Sequence, residues 1–242
     1  MLLADIKSEK TELVAFGKCW EEINNYLVVI GVIFGVIGIL LSAYEKSKLK
    51  NLNQVVTLLD DANQKLVTIR SEYYKLCSDN LKSIFALFFT ETSGNGRVSL
   101  YKHTGKNFIL LGRYSQNPTY NKIGRGEYPD NEGFIAMGWE DGEFEIKDIP
   151  MWKGAGTQYK SHVKSKCNIS DEVLQNINMR SKSFYIYRFD NHDATNPLGI
   201  IVFEKIEATG IDKNTVKEII NAQNNQIKFL LKTMKSLISD SN

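Results

Sequence analysis

The chain has 242 residues, of which 43% are hydrophobic and 24% charged, and a formal net charge of +2. That profile belongs to a folded protein of one or two domains, and the near-neutral balance excludes a whole-chain basic signature for nucleic acid. Cys19, Cys77 and Cys167 are widely spaced, without a CxxC or Cys/His ligand pattern. Neither a zinc site nor a disulfide framework is indicated, and free thiols in a reducing compartment are expected.

Residues 1–25 form a leader carrying Asp5, Glu9, Glu12, Glu21 and Glu22. The next segment, Tyr26 to Tyr44, contains no charged residue and ends on tyrosine at both sides. Its roughly 19 residues, at about 1.5 Å each, nearly match a ~30 Å hydrocarbon core, and tyrosine favours the headgroup level. A strand of this length would be unusual, and a signal peptide has a shorter apolar run behind a brief basic leader. A transmembrane helix over 26–44 is therefore expected. Lys46, Lys48 and Lys50 crowd its C-terminal flank, whereas Lys7, Lys10 and Lys18 are spread over the leader. The lysines are equal in number, and their proximity to the span assigns the C-terminal bulk to the cytoplasm. Gly31 and Gly35 form a GxxxG pair, with Gly38 following, a spacing that lets two membrane helices approach closely.

From Lys46 to Asn80 there is neither glycine nor proline. A heptad reading places Leu52, Leu59, Leu66 and Tyr73 at a, and Val55, Ala62, Ile69 and Leu76 at d. This predicts a coiled-coil connector over 45–82, or, alternatively, an amphipathic helix packed on its own domain.

Residues 83–210 read as one α+β domain. The apolar stretch Ile84 to Phe89 is followed by a break at Thr92 to Gly96. Val98–Lys102 and Phe108–Tyr114 are expected strands joined by a hairpin turn, and Ser115–Asn131 a long loop. Phe134–Trp139 predicts a short helix and Glu143–Ile146 a short strand. Ser170, ahead of Asp171 and Glu172, is a helix N-terminus signal. Two more strands, Ser183–Phe189 and Gly199–Lys205, flank a polar turn. Residues 211–242 are expected to hold one long helix, from about Asp212 to Leu237. Its stripe of Val216, Ile220, Gln223, Ile227, Leu230, Met234 and Leu237 offers a second dimerisation seam.

The punctuation of the middle domain carries a resemblance. Ile123-Gly-Arg-Gly126, Glu132-Gly-Phe-Ile-Ala136, Gly142 to Asp148-Ile-Pro150, and Pro197 to Glu204 resemble the turns and late strand of GAF domains, over about Ser83 to Ala208. The resemblance implies an antiparallel sheet with helices on one face and a small-molecule pocket on the other, without naming a ligand. The Asn-Lys-x-x-Phe-x-x-x-Asp-Glu pattern of cyclic-nucleotide-binding members does not occur here. Cys167 has Lys166 and Asn168 beside it rather than the histidine of bilin-binding members. Methionine sulfoxide reductase members need several cysteines within the domain, and only Cys167 lies there.

Candidate ligand-binding residues are Tyr128, Phe134, Trp139, Trp152, Tyr185 and Tyr187, aromatics on the loop and strands bordering such a pocket. Arg113 and Arg125 would meet an anionic ligand. No cofactor is assigned and no catalytic residue stands out. GxxxxGK[ST], HExxH and GxSxG are absent, and His103, His162 and His192 fall in polar, loop-like sequence. His192 beside Asp190 and Asp193 could hold a cation, and the basic stretch Lys153 to Lys166 could attract anionic lipid or nucleotide. A solvated turn and a solvated loop are the ordinary readings of these two.

The expectation is a non-enzymatic, homodimeric, single-pass membrane protein whose cytoplasmic GAF-like domain senses a small molecule. Its partners would be the lipid bilayer, a second copy, the ligand and a separate signalling protein, with no nucleic acid. A membrane-active effector of bacterial defence or toxin type, and a protein-interaction scaffold, are the alternatives.

Overall fold

The computed structural model describes residues 20–191 and 197–233. The leader up to Cys19, His192 with Asp193, and Met234 with Leu237 lie outside the described residues. The chain divides into two units, Met1–Gln64 and Lys65–Asn242.

The first unit holds most of helix α1, which spans Trp20–Ile84. Among the described residues this is the one helix long and apolar enough to cross a membrane. Valine and isoleucine crowd the stretch, and helix costs them some χ1 freedom. A helix nevertheless satisfies the backbone hydrogen bonds within the segment itself. The side chains from Leu27 to Leu41 are exposed, and a Cβ added at Gly31, Gly35 or Gly38 would meet nothing within 4 Å. Leu52, Val55 and Leu59 of the heptad pattern are exposed as well.

In the second unit, Tyr73, Cys77 and Leu81 of α1 are buried, followed by Phe85. Their spacing of four takes the buried stripe off the heptad reading, and the d residue Leu76 stays exposed. Helix α2 (Ala86–Thr92) ends on Ser93 in the left-handed conformation. There follow β1 (Gly96–Thr104), β2 (Asn107–Tyr114), a 3₁₀ turn (Pro118–Asn121), β3 (Glu127–Pro129), α3 (Gly133–Asp141) and β4 (Glu143–Ile146). Then come α4 (Thr157–Lys164), α5 (Asp171–Gln175), β5 (Ser183–Asp190), β6 (Pro197–Lys205), α6 (Lys213–Ala222) and α7 (Asn224–Thr233).

The strands form a six-stranded antiparallel sheet in the order β3-β2-β1-β6-β5-β4, with helices on both faces. This is the α+β architecture expected from the sequence, except that helices pack on both faces rather than one, because both faces of the sheet are apolar. Thr104 pairs with Asn107, so the first hairpin closes on two residues, with Gly105 at φ +60°. The expected long loop is partly ordered, because β3 pairs Tyr128 with Phe108. Ser170 caps α5 by accepting from the Val173 amide at 3.2 Å.

Side chains alternate across a strand, so each strand feeds two layers. One layer buries Val98, Leu100, Tyr185, Ile201 and Phe203 against the second-unit part of α1, α2, α6 and α7. Phe203 meets Phe85 and Phe88 edge-on, at 4.9 and 5.4 Å between ring centroids. The other layer buries Tyr101, Phe108, Ile186, Ile200 and Val202 against Phe134, Tyr159, Val163 and Leu174. Helix α3 lies close on this face: a Cβ at Gly138 would sit 2.3 Å from Ile186 Cγ2.

The C-terminal region corrects the single-helix expectation. Gln223 breaks it at φ −107°, ψ 13°, giving α6 and α7. Val216, Ile220, Ile227 and Leu230 are buried against the chain's own sheet, with Leu231 beside them. That stripe is therefore occupied within the domain, because folding back lets α7 reach β6. The Tyr73 hydroxyl donates to the Leu230 carbonyl, and Gln226 Nε2 donates to Asn80 Oδ1 at 2.7 Å.

A candidate ligand cavity over the sheet

The second layer is not filled throughout. A cavity of about 540 Å³ lies between the sheet and the α4–α5 region, within the range of roughly 300–1,000 Å³ usual for small-molecule sites. Period-two alternation puts Arg97, Ser99 and Tyr101 of β1 on its side, with Val202 and Glu204 of β6 and Arg113 of β2.

Arg97 stands opposite Glu204 in the sheet register. Its Nε donates to Glu204 Oε2 at 2.6 Å and its Nη2 to Oε1 at 2.7 Å, with each side chain 8% exposed. The Ser181 hydroxyl is a third donor to this carboxylate, reaching Oε1 at 3.3 Å. A two-pronged pair of this kind offsets the desolvation of both charges.

Arg113 is 4% exposed. Its Nε donates to Ser99 Oγ at 2.9 Å, Nη1 to the Lys122 carbonyl at 3.0 Å, and Nη2 to the Tyr101 hydroxyl at 2.8 Å. Burial pushes the Tyr101 phenol above its ordinary range, so the hydroxyl stays protonated and neutral. All three acceptors of Arg113 are thus uncharged.

At the rim, the Arg125 guanidinium lies over the Tyr128 ring, 4.2 Å from its centroid, and Nη2 donates to Glu132. Arg125 Nε is buried without an acceptor. Tyr128 meets Tyr101 edge-on at 5.5 Å. Leu174, Met179 and Val163 supply the apolar wall, with Tyr159, whose hydroxyl donates to the Ser181 carbonyl at 3.1 Å.

Of the sequence candidates, Arg113, Arg125, Tyr128 and Phe134 line this cavity. Trp139, Trp152, Tyr185 and Tyr187 do not. Tyr185 and Tyr187 occupy the alternate positions of β5 and point into the helix layer beneath the sheet, while Phe184 and Ile186 take the cavity side. Trp139 stacks on His103 at 4.2 Å and meets Phe108 edge-on. Trp152 packs against Tyr159, with the Arg180 guanidinium over its ring at 4.0 Å. Arg97, Tyr101, Tyr159 and Glu204 were missed. The signal for Glu204 was present, since it continues the phase of Ile200 and Val202 at the end of an apolar strand.

The remaining chemistry-bearing groups lie in structured surroundings. His103 belongs to β1 and approaches Asp130 Oδ2 at 3.1 Å, and His162 belongs to α4, so neither sits in a loop. The basic stretch forms α4, where Lys160 lies over Trp152 at 5.2 Å and Lys164 pairs with Asp171 at 3.2 Å. Burial pushes the Cys167 thiol up to about 11, with Glu132 adding to the effect, and the Cys77 thiol up to about 12. Among the described residues no group of three His, Cys, Asp or Glu side chains is placed to hold a metal ion.

No protein-family model matches the sequence, and no curated protein matches it. Solved structures do. A GAF domain of a phosphoenolpyruvate-protein phosphotransferase from Coxiella burnetii is 13% identical, with a TM-score of 0.45, covering 72% of this chain and 92% of that one. The corresponding GAF domain from Acinetobacter is 10% identical, with a TM-score of 0.44 and the same coverages. A type II free methionine-R-sulfoxide reductase from Thermoplasma acidophilum is 10% identical at a TM-score of 0.42, covering 66% and 94%. These are likenesses of outline; the sheet order and the cavity stand on the strand pairing and side chains described above.

Proposed function

We propose that this chain is a membrane-anchored, GAF-like sensor. Its second unit binds a small molecule in the cavity over the sheet, and paired α1 helices convey the bound state. The observation that carries this reading is the cavity itself. It is large enough for a metabolite, mostly apolar, and floored by buried charged groups that an ordinary core would exclude. The uncharged run from Tyr26 to Tyr44 supports a single membrane span, with Lys46, Lys48 and Lys50 favouring a cytoplasmic second unit. The exposed Leu52, Val55, Leu59, Leu66 and Ile69 support self-association into a homodimer. Signalling then requires two helix arrangements that differ in ligand affinity. A separate partner protein would read the helices, and the chain itself would perform no catalysis.

Native mass spectrometry of the full chain released from detergent tests the sensor. A retained small molecule, or a dose-dependent rise in melting temperature with a metabolite, is the expected result. A crystal structure with the cavity closed by its own side chains would overturn it and leave the scaffold reading. Carbonate extraction tests the anchor separately, and release of the full chain into the supernatant would refute the span.

A further inference from the structure

Three arginines and three glutamates line the cavity, but its buried charges are not all paired. Arg97 and Glu204 cancel through two hydrogen bonds. Arg125 and Glu132 cancel at the rim. Arg113 has no such ion pair: its hydroxyl and carbonyl acceptors satisfy hydrogen bonds without neutralising charge, and Glu204, already bonded to Arg97, favours its charge without touching it. Among the described residues no carboxylate forms an ion pair with it. Glu172, which also lines the cavity, is exposed. A guanidinium remains charged in proteins, and a buried charge without a counter-charge is costly. The three bonds to Ser99, Lys122 and Tyr101 also hold its plane in place, and they occupy three of its five N–H groups.

The second observation is independent. The Arg125 side chain is 36% exposed at the cavity rim, but its Nε atom is buried and lacks an acceptor, although the other side of its guanidinium is held by Glu132. Buried donors in folded proteins nearly always find an acceptor. An acidic ligand in the cavity would supply a counter-charge at Arg113 and bring acceptor atoms to a lining that leaves Arg125 Nε without one. The wall formed by Leu174, Met179, Val163 and Val202 has nothing polar to offer the rest of such a molecule.

Resting on the sensor reading above, we propose that the cavity selects a monocarboxylate with an apolar body, its carboxylate taken at Arg113 and its body lying against the Leu174–Met179 wall. A single buried positive charge without an ion-paired carboxylate matches a monoanion. A phosphate dianion would leave a net negative charge buried, and a neutral molecule would leave Arg113 unbalanced.

Isothermal titration calorimetry on the detergent-solubilised full chain tests this with matched probes: phenylacetate, phenylacetamide and phenyl phosphate, and 4-methylpentanoate with its amide. The carboxylates are expected to bind at least ten-fold more tightly than their amides and more tightly than phenyl phosphate. Arg113→Met should reduce the carboxylate-to-amide ratio to about one, with thermal unfolding reporting whether the variant folds. The probe comparison on the unaltered chain stands without that variant. Equal or tighter binding of an amide, or tighter binding of phenyl phosphate, overturns the assignment while leaving a small-molecule sensor. Absence of binding by every probe, together with a retained non-acidic molecule in the native mass spectrum, does the same. Absence of binding together with no retained molecule overturns both readings.

Discussion

Two stretches of this chain carry apolar residues at heptad-like spacing, and they end in opposite situations. In the first unit Leu52 and Leu59 are 60% and 59% exposed on α1. In the second, Ile220 and Ile227 are fully buried against the sheet. Both stripes meet the same physical demand, removal of apolar surface from water. They differ in whether the chain itself supplies the cover. Gln223 breaks the C-terminal helix and folds it back onto β6, whereas no break occurs in α1 from Lys46 to Asn80. Periodicity therefore marks an apolar face in both, while whether the chain covers that face itself depends on where it bends.

The sharpest way to break the comparison is to charge each stripe in turn. Ile227→Lys places an ammonium in a fully buried site, with an expected loss of about 4–5 kcal/mol. Urea unfolding of the detergent-solubilised chain should show it, and a loss below 1 kcal/mol would mean that α7 is not packed on the sheet. Removing the surface beneath the helices comes next. Phe203→Ala deletes a ring packed edge-on against Phe85 and Phe88, and about 3–5 kcal/mol should be lost in the same measurement.

The exposed stripe should respond differently. Leu59→Lys combined with Leu66→Lys should leave the unfolding free energy of the second unit within about 0.5 kcal/mol. Sedimentation in density-matched detergent should show a shift from dimer to monomer. A stable dimer in the double variant would remove α1 from the proposed seam. The smallest effect sharpens the contrast within α1. Cys77 lies on its buried side in the second unit, and its thiol, pushed up to about 12 by burial, stays protonated until the pH nears that value. At pH 8, iodoacetamide should leave the Cys77 peptide unmodified in the folded chain and label it in urea. Labelling at equal rates in both conditions would place Cys77 in solvent.

Much of the second unit was legible before its structure. The hairpin, α3, β4, the Ser170 cap and the β5–β6 pair are local features, each set by turn residues or alternation within a few positions. The site was legible only in part. Arg113, Arg125, Tyr128 and Phe134 line the cavity, but Tyr185 and Tyr187 go to the other face. From Phe184 to Tyr187 every residue of β5 is apolar enough to face either layer, so composition does not reveal the phase. Phe184 and Ile186 are no more hydrophobic in kind than their neighbours, and only the helices packed beneath the sheet distinguish the two sets. The break at Gln223 was likewise hidden, because neither glycine nor proline marks it.

What the sequence determined by itself was whatever depends on near neighbours: a long helix with an uncharged run from Tyr26 to Tyr44, strand alternation and the capped start of α5. Tertiary structure alone decided which charges share a site. Arg97 and Glu204 are 107 positions apart, yet β1–β6 pairing brings their side chains to 2.6 Å. Arg113 reaches Ser99 and Tyr101 only because β1 and β2 pair in their particular register, which shifts between Leu100 and Tyr101. A charge in a sequence has no stated solvent; its cost, and hence the ligand it calls for, exists only once the fold has taken it out of water.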